Sequence, residues 1–168
     1  KPAKVGEVEF GDLPEPTIAS LAKPYNILAT GIGGTGVLTV GQVLGMAAFL
    51  EGKGLTILDM SGLAQKNGSV MSHIRIANTQ ADLHATRVAA GEADLVLGCD
   101  VLTTTAEDSL AKMAVGVTKA VINSAVVMPA NFTRNADMKF PLGSMEREII
   151  DSCGPDSAWF LDATKIAT

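Results

Sequence analysis

The alternation of apolar and polar positions separates a short irregular lead from a longer stretch of regular elements. Tyr25, Ile27, Leu28 and Ala29 make a compact apolar run over 25–30, which predicts a buried strand. Gly31-Ile32-Gly33-Gly34-Thr35-Gly36 follows at once. Val37, Leu38, Val40, Val43, Leu44, Ala47 and Ala48 then recur at helical spacing as far as Leu50. Gly41 and Gly45 lie four apart inside this helix, where glycine is disfavoured, and their use is to let the helix lie close against a sheet. Gly52 and Gly54 are placed to end it. Further apolar runs predict strands at 55–59, 94–98, 120–123 and 158–162, and Val70, Ser72, Ile74 and Ile76 mark one over 69–77 with a polar face. A capped helix is predicted over 103–114, a solvated helix face at Glu146-Arg147-Glu148, and a helix beginning at Ala163. Residues 1–23 carry Pro2, Pro14 and Pro16 among Glu7, Glu9, Asp12 and Glu15 without periodicity, and read as a linker or N-terminal arm.

Strands alternating with helices imply one α/β domain over 24–168: a Rossmann-like, mostly parallel sheet with helices on both faces. A chain of 168 residues has room for one such core. Seven methionines against one Trp and one Tyr describe an aliphatic, adaptable interior.

Charge and cysteine usage narrow the function classes. A formal net charge of -5 leaves no basic stripe to release counterions from nucleic acid. Cys99 and Cys153 are the only cysteines, too few for an iron–sulfur cluster or a structural zinc in this chain. No apolar run reaches the length of a membrane span, and no secretory pattern opens the chain. The expected location is the cytoplasm.

Gly31, Gly33 and Gly36 form G-x-G-x-x-G after a strand and before a helix, the context in which the pattern carries meaning. The first glycine permits a tight turn, the second lets backbone approach a phosphate, and the third allows close packing; the helix start adds N–H donors and a positive dipole end. Anion binding is favoured over a pure packing role, but NAD in particular is not. Asp59 does end the second strand, where dinucleotide enzymes place an acid on the ribose. Yet the polar segment from Met60 to Ile76 runs straight into a strand instead of a helix. So many polar groups at one sheet edge favour a ligand- or partner-facing loop over an ordinary hairpin connection. The other candidates are bland. His73 and His84, one on a strand and one ahead of a helix, make no metal site. Cys99 has no evident base and reads as a small buried hydrophobe. Arg75 and Arg87 read as surface pairing. No catalytic residue is assigned.

G-I-G-G-T-G-V-L-T at Gly31 to Thr39, D-M-S-G-L-A-Q-K at Asp59 to Lys66 and S-H-I-R-I at Ser72 to Ile76 together resemble the gamma-type domain of indolepyruvate:ferredoxin oxidoreductase. Gly98-Cys99-Asp100 and D-A-T-x-I-A at Asp162 to Ala167 are similar to that family as well, so the resemblance covers nearly the whole chain after the arm. It implies one part of an enzyme that oxidatively decarboxylates 2-oxoacids with thiamine diphosphate, [4Fe-4S] clusters, coenzyme A and ferredoxin as electron acceptor. Thiamine and clusters would belong to catalytic thiamine-binding and ferredoxin-like domains or subunits, against which this domain packs, and the chain alone would be inactive. Carried over, Gly31, Gly33, Gly34, Thr35 and Gly36 would face a phosphate of coenzyme A. Ser61, Gln65, Asn67, Gly68 and Ser72 would line the side towards the active centre. Family members commonly have two glycines after Gln-Lys, where this chain has Asn67 and Gly68; Asn is the non-glycine residue that best tolerates a left-handed backbone. They also continue past D-A-T with further helices, so the domain reads as truncated at its C-terminus and part of a longer polypeptide. Two other readings stand beside this one: a stand-alone NAD(P)-binding Rossmann oxidoreductase, against which no downstream acid or base motif is present, and a non-catalytic regulatory module of the same fold.

Overall fold

The computed structural model describes residues 12, 14–62, 68–126 and 140–167. Among the described residues six strands and five helices follow in the order β1 (Tyr25–Ile32), α1 (Val37–Leu50), β2 (Gly54–Ser61), β3 (Ser69–Ala77), β4 (Leu95–Gly98), α2 (Val101–Thr104), α3 (Glu107–Leu110), β5 (Lys119–Asn123), α4 (Leu142–Cys153), β6 (Ala158–Leu161) and α5 (Ala163–Ala167). A one-turn 3-10 segment at Gln80–Asp82 precedes β4. The strands form one mixed sheet in the order β2-β3-β1-β4-β5-β6. β1, β4, β5 and β6 are mutually parallel neighbours, whereas β3 runs antiparallel to both β1 and β2.

The sheet is mostly parallel, as the alternating elements predicted, but the first strand–helix–strand unit is split. β3 lies between β1 and β2, so β2 becomes the edge strand. The segment between β2 and β3 is therefore a hairpin connection, closed by Gly62 N–H donating to the Ser69 carbonyl at 2.8 Å. The middle of β3 has no solvent face: Ser72, His73 and Ile74 are all fully buried, because strands flank it on both sides, α1 covers one face and the segment at Val88 packs on the other.

Two apolar layers sandwich the sheet. On one face Leu28, Val96, Ala120 and Ile122 pack under Val101 of α2 and Ile149 and Cys153 of α4. On the other, Ile27, Ala29 and Ile74 pack under Val37 of α1, with Leu44, Leu55 and Ile57 around them. α1 reaches the sheet through its glycines: a Cβ at Gly41 would stand 3.2 Å from Ser72 Oγ, and one at Gly45 2.7 Å from Ile57 Cδ1. Gly52 caps the helix in the left-handed region at φ 67°. Gly54 serves another purpose, since a Cβ there would run into the Thr79 backbone carbonyl.

The helix predicted over 103–114 is broken. Asp100 caps α2 by accepting from Thr103 N at 2.9 Å, but the chain turns extended at Ala106 before α3. Thr104 and Thr105 donate their hydroxyls to the backbone oxygens of Asp100 and Val101, the local competition that weakens helices rich in threonine. No helix follows His84, which is exposed on an irregular segment.

Candidate functional site

β1 and β4 mark the point where the chain changes direction across the sheet: the connection after β1 leads away to β2, and the one after β4 to β5 and β6. In open α/β sheets the crevice beyond the strand ends at such a point is where ligands bind. The glycine turn lies there.

Within the turn the glycines have different jobs. A Cβ on Gly31 would collide with the Thr35 side chain and stand 2.7 Å from Val37 Cγ2. Gly33 donates its N–H to the Gly68 carbonyl at 2.8 Å, which locks the turn to the start of β3. Gly34 and Gly36 hold φ of 98° and 86°, a region L-residues avoid, and open space surrounds the place a side chain would occupy. Thr35 accounts for its own polar groups, with both N–H and hydroxyl donating to the Ile32 carbonyl, at 3.1 and 2.7 Å.

α1 therefore begins with an N-cap, Gly36, that supplies no side-chain cap, and no acidic residue stands in its first turn. The opening N–H groups of a helix have no intrahelical acceptor, and here the positive dipole end is uncompensated by side chains. A cavity of about 310 Å³ lies against this start, lined by Gly33, Gly34, Gly36, Leu38, Thr39 and Val70. A second, of about 410 Å³, opens on the other side of Thr35 over the ends of β4, β5 and β6. Leu97, Cys99, Val121, Asn123 and Leu161 line it. Among the described residues neither cavity is lined by Lys or Arg, so an anion at this place would rest on backbone donors.

Asn123, which sequence reading passed over, organises the second cavity. Its Oδ1 accepts from Ala125 N at 3.1 Å and Ala163 N at 3.0 Å, and its Nδ2 donates to the Cys99 carbonyl at 3.2 Å. One side chain thus fixes the exits of β4 and β5 and the start of α5. The only signal in the sequence is an amide closing the apolar run Ala120-Val121-Ile122. Cys99 beside it is half-buried, and burial, then the neighbouring Asp100 carboxylate, push its thiol up. It stays protonated and poorly nucleophilic, consistent with the packing role expected of it.

The other residues singled out from their sequence context scatter. Gly68 meets the glycine turn through Gly33. Ser61 is exposed at the edge-strand end of the sheet and lines a separate cavity of about 240 Å³ with Met60, Gly62, Ser69, Thr103 and Asp108. Ser72 does not reach a surface: it is fully buried under α1, its hydroxyl against Gly41. Gln65 and Asn67 lie outside the described residues. Asp59 is exposed on β2, with β3 between it and the glycine turn that follows β1. Arg75 is structural, bonding Asn26 Oδ1 at 2.8 Å and the Ala85 carbonyl at 2.7 Å. Arg87 makes an exposed pair with Asp108 at 3.6 Å. His73 accepts from Val88 N–H through Nδ1 at 3.2 Å, deep in the core. Among the described residues no group of three or more His, Cys, Asp or Glu could hold a metal ion, and no helix is long and apolar enough to cross a membrane.

Comparison with known proteins is specific. A subunit of indolepyruvate oxidoreductase, IorB, from Methanothermobacter thermautotrophicus is 31% identical over 130 residues, which cover 77% of this chain and 63% of that protein. The IorB subunit from Pyrococcus horikoshii is 37% identical over 75 residues, 45% of this chain and 36% of that one. The chain thus spans less than two thirds of these relatives. Among solved structures, the pyruvate oxidoreductase subunit PORC from Thermotoga maritima shares the fold at a TM-score of 0.56 and 19% identity, over 86% of this chain and 65% of that one. The 2-oxoglutarate:ferredoxin oxidoreductase from Magnetococcus marinus, solved with 2-oxoglutarate, coenzyme A and succinyl-CoA bound, shares it at 0.59 and 17% identity. There the match covers 86% of this chain and 21% of that one. The family model for pyruvate ferredoxin/flavodoxin oxidoreductase matches residues 26–168, and the chain belongs to that family.

Proposed function

We propose that this domain is the gamma-type part of a 2-oxoacid:ferredoxin oxidoreductase, with an indolepyruvate-type aryl oxoacid as substrate, and that its glycine turn holds a phosphate of coenzyme A. The observation that carries the reading is the uncapped start of α1 at the sheet's change of direction, where left-handed Gly34 and Gly36 leave open space for a ligand to reach the backbone. Gly34, Gly36 and the first turn of α1 would supply the N–H donors, and the adjoining cavities have room for uncharged parts of the ligand. Bound coenzyme A supplies the thiol that accepts the acyl group. The bound coenzyme A of the Magnetococcus enzyme, a relative in fold, supports the same ligand class.

This chain's own residues do not fit the enzyme's iron–sulfur clusters. Two separate cysteines, with no third candidate ligand grouped near them among the described residues, cannot hold a cluster. Thiamine diphosphate, the clusters and the contact with ferredoxin belong, on this reading, to companion domains or subunits, and the oxidative decarboxylation is theirs. The domain's contribution is to position coenzyme A and complete the interface, within the cytoplasm.

Two measurements test this. The native complex recovered through a tag on this chain is expected to contain iron and thiamine diphosphate; a free protein with neither overturns the reading. In the complex, Gly34→Ala, which adds a methyl to a left-handed residue at the ligand's approach, is expected to weaken coenzyme A binding at least tenfold by calorimetry. The strain of a left-handed alanine should cost about 1–2 kcal/mol of stability. Unchanged coenzyme A affinity would move the ligand elsewhere.

A further inference from the structure

The outward side of α1 is largely apolar and uncharged, with Thr39 and Gln42 its exposed polar side chains. Val37, Gly41, Gly45 and Ala48 face the sheet, while Val43, Met46, Phe49 and Leu50 face away and are 62%, 60%, 72% and 76% exposed. The helix contains no charged residue, and none occurs anywhere from Pro24 to Leu50. A helix that meets water along one side normally carries its charges there. α4 in the same chain does so, with Arg147, Glu148 and Asp151 exposed opposite buried Ile149 and Cys153. α1 is built differently from a surface helix of its own protein.

We infer that the outer face of α1 is the seat of a companion subunit of the oxidoreductase, one that presents an uncharged apolar surface. The inference rests on the functional reading above and adds to it which face is covered. The size of the face favours this occupant over a second copy of the chain. Fourteen residues make a helix about 21 Å long and about 10 Å wide, so a symmetric pair of helices would bury on the order of 200 Å² on each side, against roughly 800 Å² for a stable complex. A larger partner can continue past the helix. At its N-terminal end the apolar face runs on through Leu38, 45% exposed, to the cavity at the glycine turn. In the Magnetococcus enzyme the matched fold is 21% of one chain, so that relative carries it within a far longer polypeptide. A companion seated along α1 would also close one side of the glycine turn.

The test uses the native complex and the variant Val43→Glu/Phe49→Glu. Both positions are exposed, so the lone domain should melt within a few degrees of the wild type. The affinity for the companion should fall at least tenfold by light scattering on a size-exclusion column. A second readout needs no variant: amide exchange across α1 should slow in the complex relative to the separated chain. Unchanged affinity together with unchanged α1 exchange overturns the inference while leaving the enzyme assignment intact. A wild-type chain that dimerises alone through α1, with dimerisation abolished by the variant and the complex unaffected, overturns it in favour of self-pairing. A complex without thiamine or iron removes the functional reading and this inference with it.

Discussion

His73 has no exposed surface, and its surroundings fix its charge. Burial first, and then the positive charges of Arg87 and Lys112, lower its pKa from the ordinary 6.5. The Nδ1 atom accepts the Val88 N–H, so protonation would set two donors against each other. The folded chain therefore stays unprotonated here at a pH where the unfolded chain takes up a proton. The resulting stability is complete above the unfolded value of about 6.5 and is lost as pH falls through it towards the folded one. The urea midpoint should drop from about pH 7.5 to about pH 5.5. His73→Asn keeps an acceptor near the Nδ1 position without a titrating proton, and the drop should be smaller in that variant. Equal slopes in the two proteins would show that His73 does not carry the dependence. The burial itself was not visible beforehand, because the alternation over 69–77 describes a half-exposed strand as well as a fully covered one.

Among the elements, β2 depends on a contact that its own sequence does not announce. Gly54 opens the strand under the backbone of Thr79, and a Cβ there would overlap a carbonyl that cannot rotate away as a side chain can. Gly54→Ala should lower unfolding free energy by about 2–3 kcal/mol in urea titration, and a neutral result would mean that the 79–80 backbone yields easily. Element limits were largely legible where periodicity was strong: α1 spans 37–50 and β3 spans 69–77, the ranges their patterns predict. The same reading missed the break between α2 and α3, since apolar spacing continues through it while threonine hydroxyls draw the backbone into a turn. It placed the glycine turn correctly on strand and helix. It did not find Asn123, whose three hydrogen bonds join segments 24 to 40 residues apart or turn back two residues, and spacing along the chain encodes none of them.

At the scale of the whole molecule, strand order bears on two chemistries that share a glycine motif. Sequence shows a strand, a glycine turn, a helix and a second strand ending in an acid, which suits NAD, but it does not show which strands become neighbours. Insertion of β3 moves β2 to the edge and puts Asp59 two strands, or roughly 10 Å, from β1. An adenosine ribose beside the pyrophosphate would meet β3 in place of the acid, while the larger cavity opens on the opposite side, over β4, β5 and β6. NAD+ titrated into the chain by calorimetry should therefore give no saturable binding below millimolar concentration, and Asp59→Ala should change nothing. A micromolar dissociation constant abolished by Asp59→Ala would mean that the ligand bridges β3 to reach the edge strand, and would return a dinucleotide to the glycine turn.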